Sequence, residues 1–308
     1  MERETPNRPL LFDDTLLAAR RDRAEGLGFA AGADFLHVRV ADLVRERLDE
    51  ITREFRDAVI IGSGGGVYRA ALDGRVGQVM ALERSLRRAA RAGATQVAHL
   101  DPLPLGAGTV DLALSMLEMH WLNDPVGHLI QLRRSLRPDG LLIAALFGGQ
   151  TLAELRAVLT QSEAEVSGGL SPRIAPMAEL RDLGGLLQRA GLVMPVADAE
   201  RFEVSYADAW ALMRDVRAMG EANVLAARRR VPTPRAVLER AAAQYAEAFP
   251  AEGGRVRATF EVVFLTGWAP GPNQPQPRRP GSATHRLADA LGVDEVSAGE
   301  AAGPNRRR

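Results

Sequence analysis

Gly62, Gly64, Gly65 and Gly66, with Ser63 among them, follow directly on the apolar run AVII (58–61). Four glycines in five positions cost conformational entropy, so their use needs a steric reason, and a ligand that must touch backbone is one. A loose connection is the plain alternative for an isolated cluster. Here the surroundings favour a ligand. Glu83 ends the next strand-like run, 21 residues after Gly62, near the ~20-residue spacing at which an acid accepts ribose hydroxyls. A turn that opens a helix also presents N–H groups to polar or anionic groups. The chemistry indicated is nucleoside binding. The spacing is G-x-G-x-G rather than the G-x-G-x-x-G of dinucleotide sites, which points away from NAD.

His120 and Trp121 follow the fourth strand-like run. A histidine there can move protons near neutral pH, and the two are the candidate catalytic residues. The alternative is a core tryptophan beside a histidine with its bonds satisfied. Asn123-Asp124-Pro125 reads as a helix start, with Asp124 as cap and Pro125 in the first turn. His99-Leu100-Asp101 spells H-x-D, the beginning of a non-haem iron triad, but five histidines leave few choices for the remaining ligand. No metal site is expected. Arg133, Arg134 and Arg137 read as a solvated helix face.

The elements that must hold these residues alternate. Apolar positions from Leu36 to Ile51 recur at helical spacing behind Asp34, which predicts a helix over about 34–53. Strand-like runs at 57–61, 76–82, 94–99, 109–117 and 141–147 are then each followed by a turn, a loop or a helical run. Such alternation predicts a parallel sheet covered on both faces. A helix at 176–191 and a strand at 192–199 continue the pattern, and 206–249 reads as helical. VRATFEVVFLTGWAP (256–270) is β-branched and aromatic and predicts a last strand running antiparallel. The organisation expected is N-terminal helices over 1–56, an α/β Rossmann-like domain over 57–270, and a mostly disordered tail over 271–308. Helical insertions within about 150–250 would cap the sheet edge, and the strand order would be 3-2-1-4-5-7-6.

Bulk composition narrows the partners. Lys+Arg and Asp+Glu are both 39, so no net charge argues for nucleic acid or an acidic membrane. Every one of the 39 basic residues is arginine. The absence of cysteine excludes disulfides and thiol catalysis. No apolar run is long enough for a transmembrane segment, and the arginine-rich opening carries Glu2, Glu4, Asp13 and Asp14, unlike a transit peptide. A cytoplasmic protein is expected.

G-x-G-x-G, the acid after the second strand, an acidic loop before Leu103-Pro104-Leu105 and LRPDG (136–140) together resemble class I S-adenosylmethionine-dependent methyltransferases. Further motifs are similar to one branch of that superfamily: Phe12-Asp13, MLEMHWLNDP (116–125), LFGGQTLAELR (146–156), GGLSPRIAPMAELRDLGGLLQRAGL (168–192), LMRDVRAMGEAN (212–223) and GSAT (281–284). That branch is the complex I assembly factors, whose mitochondrial member is regarded as a protein arginine hydroxylase on a methyltransferase fold. The resemblance implies a seven-stranded sheet and S-adenosylmethionine as cofactor, held by Gly62, Ser63, Gly64, Gly66, Glu83, Asp101, Leu103 and Ser115. It implies a protein substrate, a complex I subunit. The family usually carries an acid two residues before the first loop glycine, where the methionine end of the cofactor sits. Here that position is Ile60, which cannot accept the hydrogen bond. Two other readings stand beside this one: an ordinary methyltransferase acting on a small or carrier-bound carboxylate, and a non-catalytic assembly chaperone.

Overall fold

In the computed structural model the described residues are 10–27, 29, 32–93, 95–98, 100–272, 274 and 292–293. His99, the GSAT motif and nearly all of 271–308 lie outside them. Two helices come first, α1 (Asp14–Gly26) and α2 (Phe35–Asp49). Then follow β1 (Phe55–Ile61), α3 (Val67–Ala71), β2 (Val76–Glu83), α4 (Leu86–Ala92), β3 (Thr95–Val97), β4 (Val110–Met116), α5 (Pro125–Ser135) and β5 (Leu136–Phe147). The remainder is α6 (Ala153–Ser167), α7 (Leu180–Arg189), β6 (Val193–Tyr206), α8 (Ala209–Met219), α9 (Arg235–Ala248), β7 (Pro250–Ala251) and β8 (Arg255–Trp268).

The sheet order is β3-β2-β1-β4-β5-β8-β6. Strands β1 to β5 run parallel, and β8 lies antiparallel between β5 and β6. This is the expected mixed α/β sheet with its reversed last strand. The numbering shifts by one because Pro250–Ala251 fold back on the start of β8 as a two-residue strand. Side-chain alternation divides the core in two: Ala58 and Ile60 face one layer with α2, α6 and α9, while Val59 and Ile61 face the other with α5 and α7. All seven residues of β4 are buried, as expected of a central parallel strand covered on both faces.

Three elements differ from expectation. β5 begins at Leu136, so LRPDG belongs to the strand and bends at Asp139 (φ 61°) instead of preceding it. β6 continues to Tyr206, because the 14-residue β8 offers it ladder partners along that whole length. Helix α7 belongs to the flank rather than the cap, since Leu183 and Leu187 are buried in the same layer as α5. No helix among the described residues is long and apolar enough to cross a membrane.

Candidate functional site

Strand β1 ends at the carboxyl edge of the sheet and passes into the glycine turn. Gly62 N–H donates to the Leu82 carbonyl at 2.9 Å, which ties the turn to β2. Gly62, Gly64, Gly65 and Gly66 have φ of 83°, 53°, 70° and 105°, the left-handed region where a side chain is strained. Glu83, at the end of β2, is fully buried beneath this turn. Its Oε2 accepts from the Ser63 N–H at 3.0 Å and the Ser63 hydroxyl at 2.9 Å. Its Oε1 accepts from the N–H groups of Arg84 at 3.0 Å and Ser85 at 3.1 Å. Burial alone would raise its pKa, but the charges of Arg88 and Arg21, with these bonds, hold it lowered and ionised. Glu83 therefore shapes the glycine turn from below through four donors of the protein itself.

A second carboxylate adjoins the turn. Beyond β4, Leu117 adopts φ 52°, uncommon and costly for a bulky residue, by about 1–3 kcal/mol. The bend brings Glu118 so close that a Cβ on Gly62 would lie 2.5 Å from the Met116 carbonyl and 2.7 Å from Glu118 Cγ. Glu118 is buried and pairs with Arg21 of α1 and, at 3.2 Å, with Arg84. Arg21 also donates to the Leu117 carbonyl at 3.1 Å and to Glu221 at 3.2 Å. Burial opposes the charge on Arg21, yet Glu118, Glu221 and Glu83 outweigh it and raise its pKa further.

Glu221 links this cluster to the candidate catalytic pair. Its Oε2 accepts from His120 Nε2 at 3.1 Å and from the Trp121 indole N–H. Phe147 N–H donates to His120 Nδ1 at 3.4 Å, which fixes the tautomer with the proton on Nε2. Burial would raise the Glu221 carboxyl, but the Arg21 charge and the bonds from His120 and Trp121 hold it well below the usual carboxylate range. Trp121 also packs edge-on against Phe12, ring centroids 5.3 Å apart, in a small third core with Leu17, Val224 and Leu225. Trp121 is therefore core, and its polar edge faces Glu221.

Glu221 and Trp121 further line an apolar cavity of about 120 Å³, with Phe147, Leu152, Leu155, Met177, Met219 and Phe260 among its walls. Arg173 borders it but is neutralised by Glu163.

The other sequence candidates are placed less centrally. Ser115 is buried and its hydroxyl shares a 3.0 Å bond with His128 of α5, so it faces the flank layer. Asp101 is exposed, while Leu103 is buried in that layer and its N–H donates to Gln131 at 2.7 Å. Gly64 lies beneath Tyr68 and His37, and a Cβ on Gly65 would run into the guanidinium of Arg91. Ile60 is buried in the other layer, as expected of an aliphatic side chain. Asp124 caps α5 by accepting from Gly127 N–H at 2.8 Å, with Pro125 in the first turn. Asn123 does more than start a helix: it accepts from Leu11 and Phe12 N–H and donates to the Phe12 carbonyl. The arginine trio needs correction. Only Arg134 is exposed, and Arg137 bridges Asp57 at 2.8 Å and Asp111 at 2.9 Å, because β5 starts early enough to bring it beside β1 and β4.

Sequence reasoning missed Arg21, Glu118 and Glu221. The last two lie inside the quoted motifs MLEMHWLNDP and LMRDVRAMGEAN, which was the available signal. In kind, the turn fits a nucleoside cofactor by its left-handed glycine backbone with the carboxylates of Glu83 and Glu118 beside it, although the space a Cβ would take at Gly62, Gly64 and Gly65 is filled by Glu118, Tyr68 and Arg91.

Known proteins share this architecture. A family profile for the methyltransferase domain matches residues 59–144. A candidate methyltransferase of Bacillus halodurans superposes with a TM-score of 0.52 at 13% identity, over 74% of this chain and 98% of that one, which is likeness of fold. The arginine hydroxylase NDUFAF5, mitochondrial, of Danio rerio is 34% identical over 93% of this chain and 91% of its own length. The human protein of that name is 34% identical over 89% and 81%. A malonyl-[acyl-carrier protein] O-methyltransferase of Laribacter hongkongensis is 33% identical over 87% and 92%. With about a third of residues identical along almost the whole length, the chain belongs to the methyltransferase-fold family of the arginine hydroxylase NDUFAF5.

Proposed function

We propose that this chain binds S-adenosylmethionine at the glycine turn and modifies an arginine side chain of a protein partner, a subunit of respiratory complex I, during assembly. One observation carries the reading: a left-handed glycine turn and an apolar cavity with the Glu221 carboxylate in its wall lie at the same edge of the sheet, joined through Glu118, Arg21 and Glu221. The backbone of Gly62–Gly66 with Ser63, Glu83 and Glu118 would hold the cofactor; Asp101, Leu103 and Ser115 are assigned to it on family resemblance. When bound, S-adenosylmethionine supplies an activated methyl group. Glu118 offers the carboxylate that Ile60 lacks, beside the same first glycine. His120 and Trp121 hold Glu221 ionised and oriented. Apolar walls keep water from the cavity, which strengthens the electrostatic pull of Glu221 on a cation.

The test is calorimetric titration with S-adenosylmethionine, followed by mass analysis of complex I subunits co-produced with parent protein and with Glu221→Gln. Expected are saturable binding, and an arginine whose mass is raised by one oxygen or one methylene with the parent alone. Binding without modification of any arginine removes the enzyme reading. Neither binding nor modification, with assembly still promoted, establishes the chaperone.

A further inference from the structure

Arg21 is an unusual residue for the inner stripe of a helix. Its neighbours on that stripe, Leu17 and Ala24, are the other residues that α1 buries. The guanidinium is entirely buried, and both carboxylates that balance it come from elsewhere in the chain, Glu118 after β4 and Glu221 after α8. Taking three charges out of water carries a large desolvation penalty, so such a cluster is weak evidence of a stabilising device. Nor does the cluster fit Arg21 fully: its buried Nε–H has no acceptor among the described residues.

What fastens α1 is mostly polar. Asp14 pairs with Arg84 at 3.0 Å, and Asp22 accepts from the Ser85 hydroxyl at 2.6 Å and Arg87 N–H at 3.0 Å. Glu25 pairs with Arg88 at 3.1 Å and Arg91 at 2.9 Å. α1 is thus held by polar ties and the buried Arg21 rather than by a broad apolar face, and whatever displaces it must supply a cation to Glu118 and Glu221. The apolar cavity, meanwhile, has Glu221, the carboxylate that Arg21 holds, in its wall. A chain of methylenes lying along Trp121, Met219 and Phe260 would deliver a guanidinium to Glu221 Oε1, the oxygen that Arg21 reaches.

We propose that Glu118 and Glu221 form a guanidinium receptor, which the chain's own Arg21 fills at rest and which an arginine side chain of a protein partner enters when α1 moves aside. This deepens the protein-arginine reading above and rests on it for the identity of the entering side chain. α1 is then a built-in competitor of the substrate, and the site is closed until a partner displaces it.

The experiment is chemical rescue. Arg21→Ala is titrated with ethylguanidinium chloride, and with ethylammonium chloride at equal ionic strength, while the melting temperature is followed. A saturable rise is expected with ethylguanidinium alone, about 3 °C at ten times the half-saturating concentration. It should vanish in Arg21→Ala/Glu221→Gln. Equal responses to the two cations, or none to either, overturn the proposal. Should Arg21→Ala fail to fold, hydrogen exchange of the parent replaces it. N-acetylarginine amide should then speed exchange of the α1 amides, and N-acetylcitrulline amide should not; an unchanged α1 likewise overturns it. Rescue without any modified partner arginine leaves the receptor standing and removes the enzyme reading. A modified partner arginine without rescue does the reverse.

Discussion

Glu83→Gln separates a carboxylate that shapes the glycine turn from one that merely adjoins it. The substitution preserves volume but replaces one of two accepting oxygens with a donor. The least damaging arrangement turns the new amide nitrogen toward Ser63, whose hydroxyl can rotate to accept from it, leaving Ser63 N–H facing a donor. An orphaned buried N–H costs about 1–3 kcal/mol. The bonds from Arg84 and Ser85 survive but lose their charge assistance, roughly a further 1 kcal/mol together. Relief of carboxylate burial offsets part of this, and loss of attraction to Arg88 and Arg21 adds to it. The net loss expected is about 2–4 kcal/mol, a fall in melting temperature of about 3–8 °C at this chain length. Urea denaturation of parent and variant, compared at equal slope, measures it. S-adenosylmethionine binding, read by calorimetry, should weaken by about 1.5–3 kcal/mol, because the turn that presents its N–H groups is no longer held. A variant within 0.5 kcal/mol of the parent in stability would refute the argument that these four bonds hold the turn. Unchanged affinity in a folded variant would remove Glu83 from the cofactor site.

Ile60→Asp should lower stability by about 1.5–3 kcal/mol through loss of a buried aliphatic side chain. If Glu118 already serves the cofactor's ammonium group, it should leave S-adenosylmethionine affinity unchanged; tighter binding in calorimetry would show that the site lacked an acid. The two turn glycines should differ. Gly62→Ala meets the Met116 carbonyl and Glu118 as well as a positive φ, whereas Gly65→Ala meets the movable end of Arg91. Thermal denaturation should show about 1 kcal/mol lost at Gly65 and several-fold more at Gly62. His128 is buried, and burial lowers its pKa to about 4. A histidine depressed on folding contributes stability above its unfolded pKa of about 6.5, and that contribution is lost as pH falls toward the folded value near 4. The parent should therefore lose up to roughly 3 kcal/mol across that window relative to His128→Gln, read from the pH dependence of their urea midpoints. Parallel curves would contradict it.

Local pattern alone located much of this protein. The alternation of apolar runs and helical spacing, the glycine turn and the cap at Asp124 depend on neighbours a few residues apart, so they are written in consecutive residues, whereas Asp34 stands at the start of α2 without its side chain making a capping bond. The 21-residue step from Gly62 to Glu83 spans a single β-turn-helix-β unit and is likewise legible. The ends of β5 and β6 were not, because β5 starts where Leu136 pairs with Val110 of β4 and β6 runs on as far as its partner strand β8 extends, which at Tyr206 lies 50 residues further along the chain. The inner cluster was least legible of all. Arg21 is separated from Glu118 by 97 residues and from Glu221 by 200, and Glu221 from Trp121 by 100. In sequence each of these is one charged residue among many in an arginine- and glutamate-rich chain, with the bland reading of a solvated face. Only the packing of α1 and α8 over the carboxyl edge removes them from water. There, with little else to stabilise a charge, they must find one another.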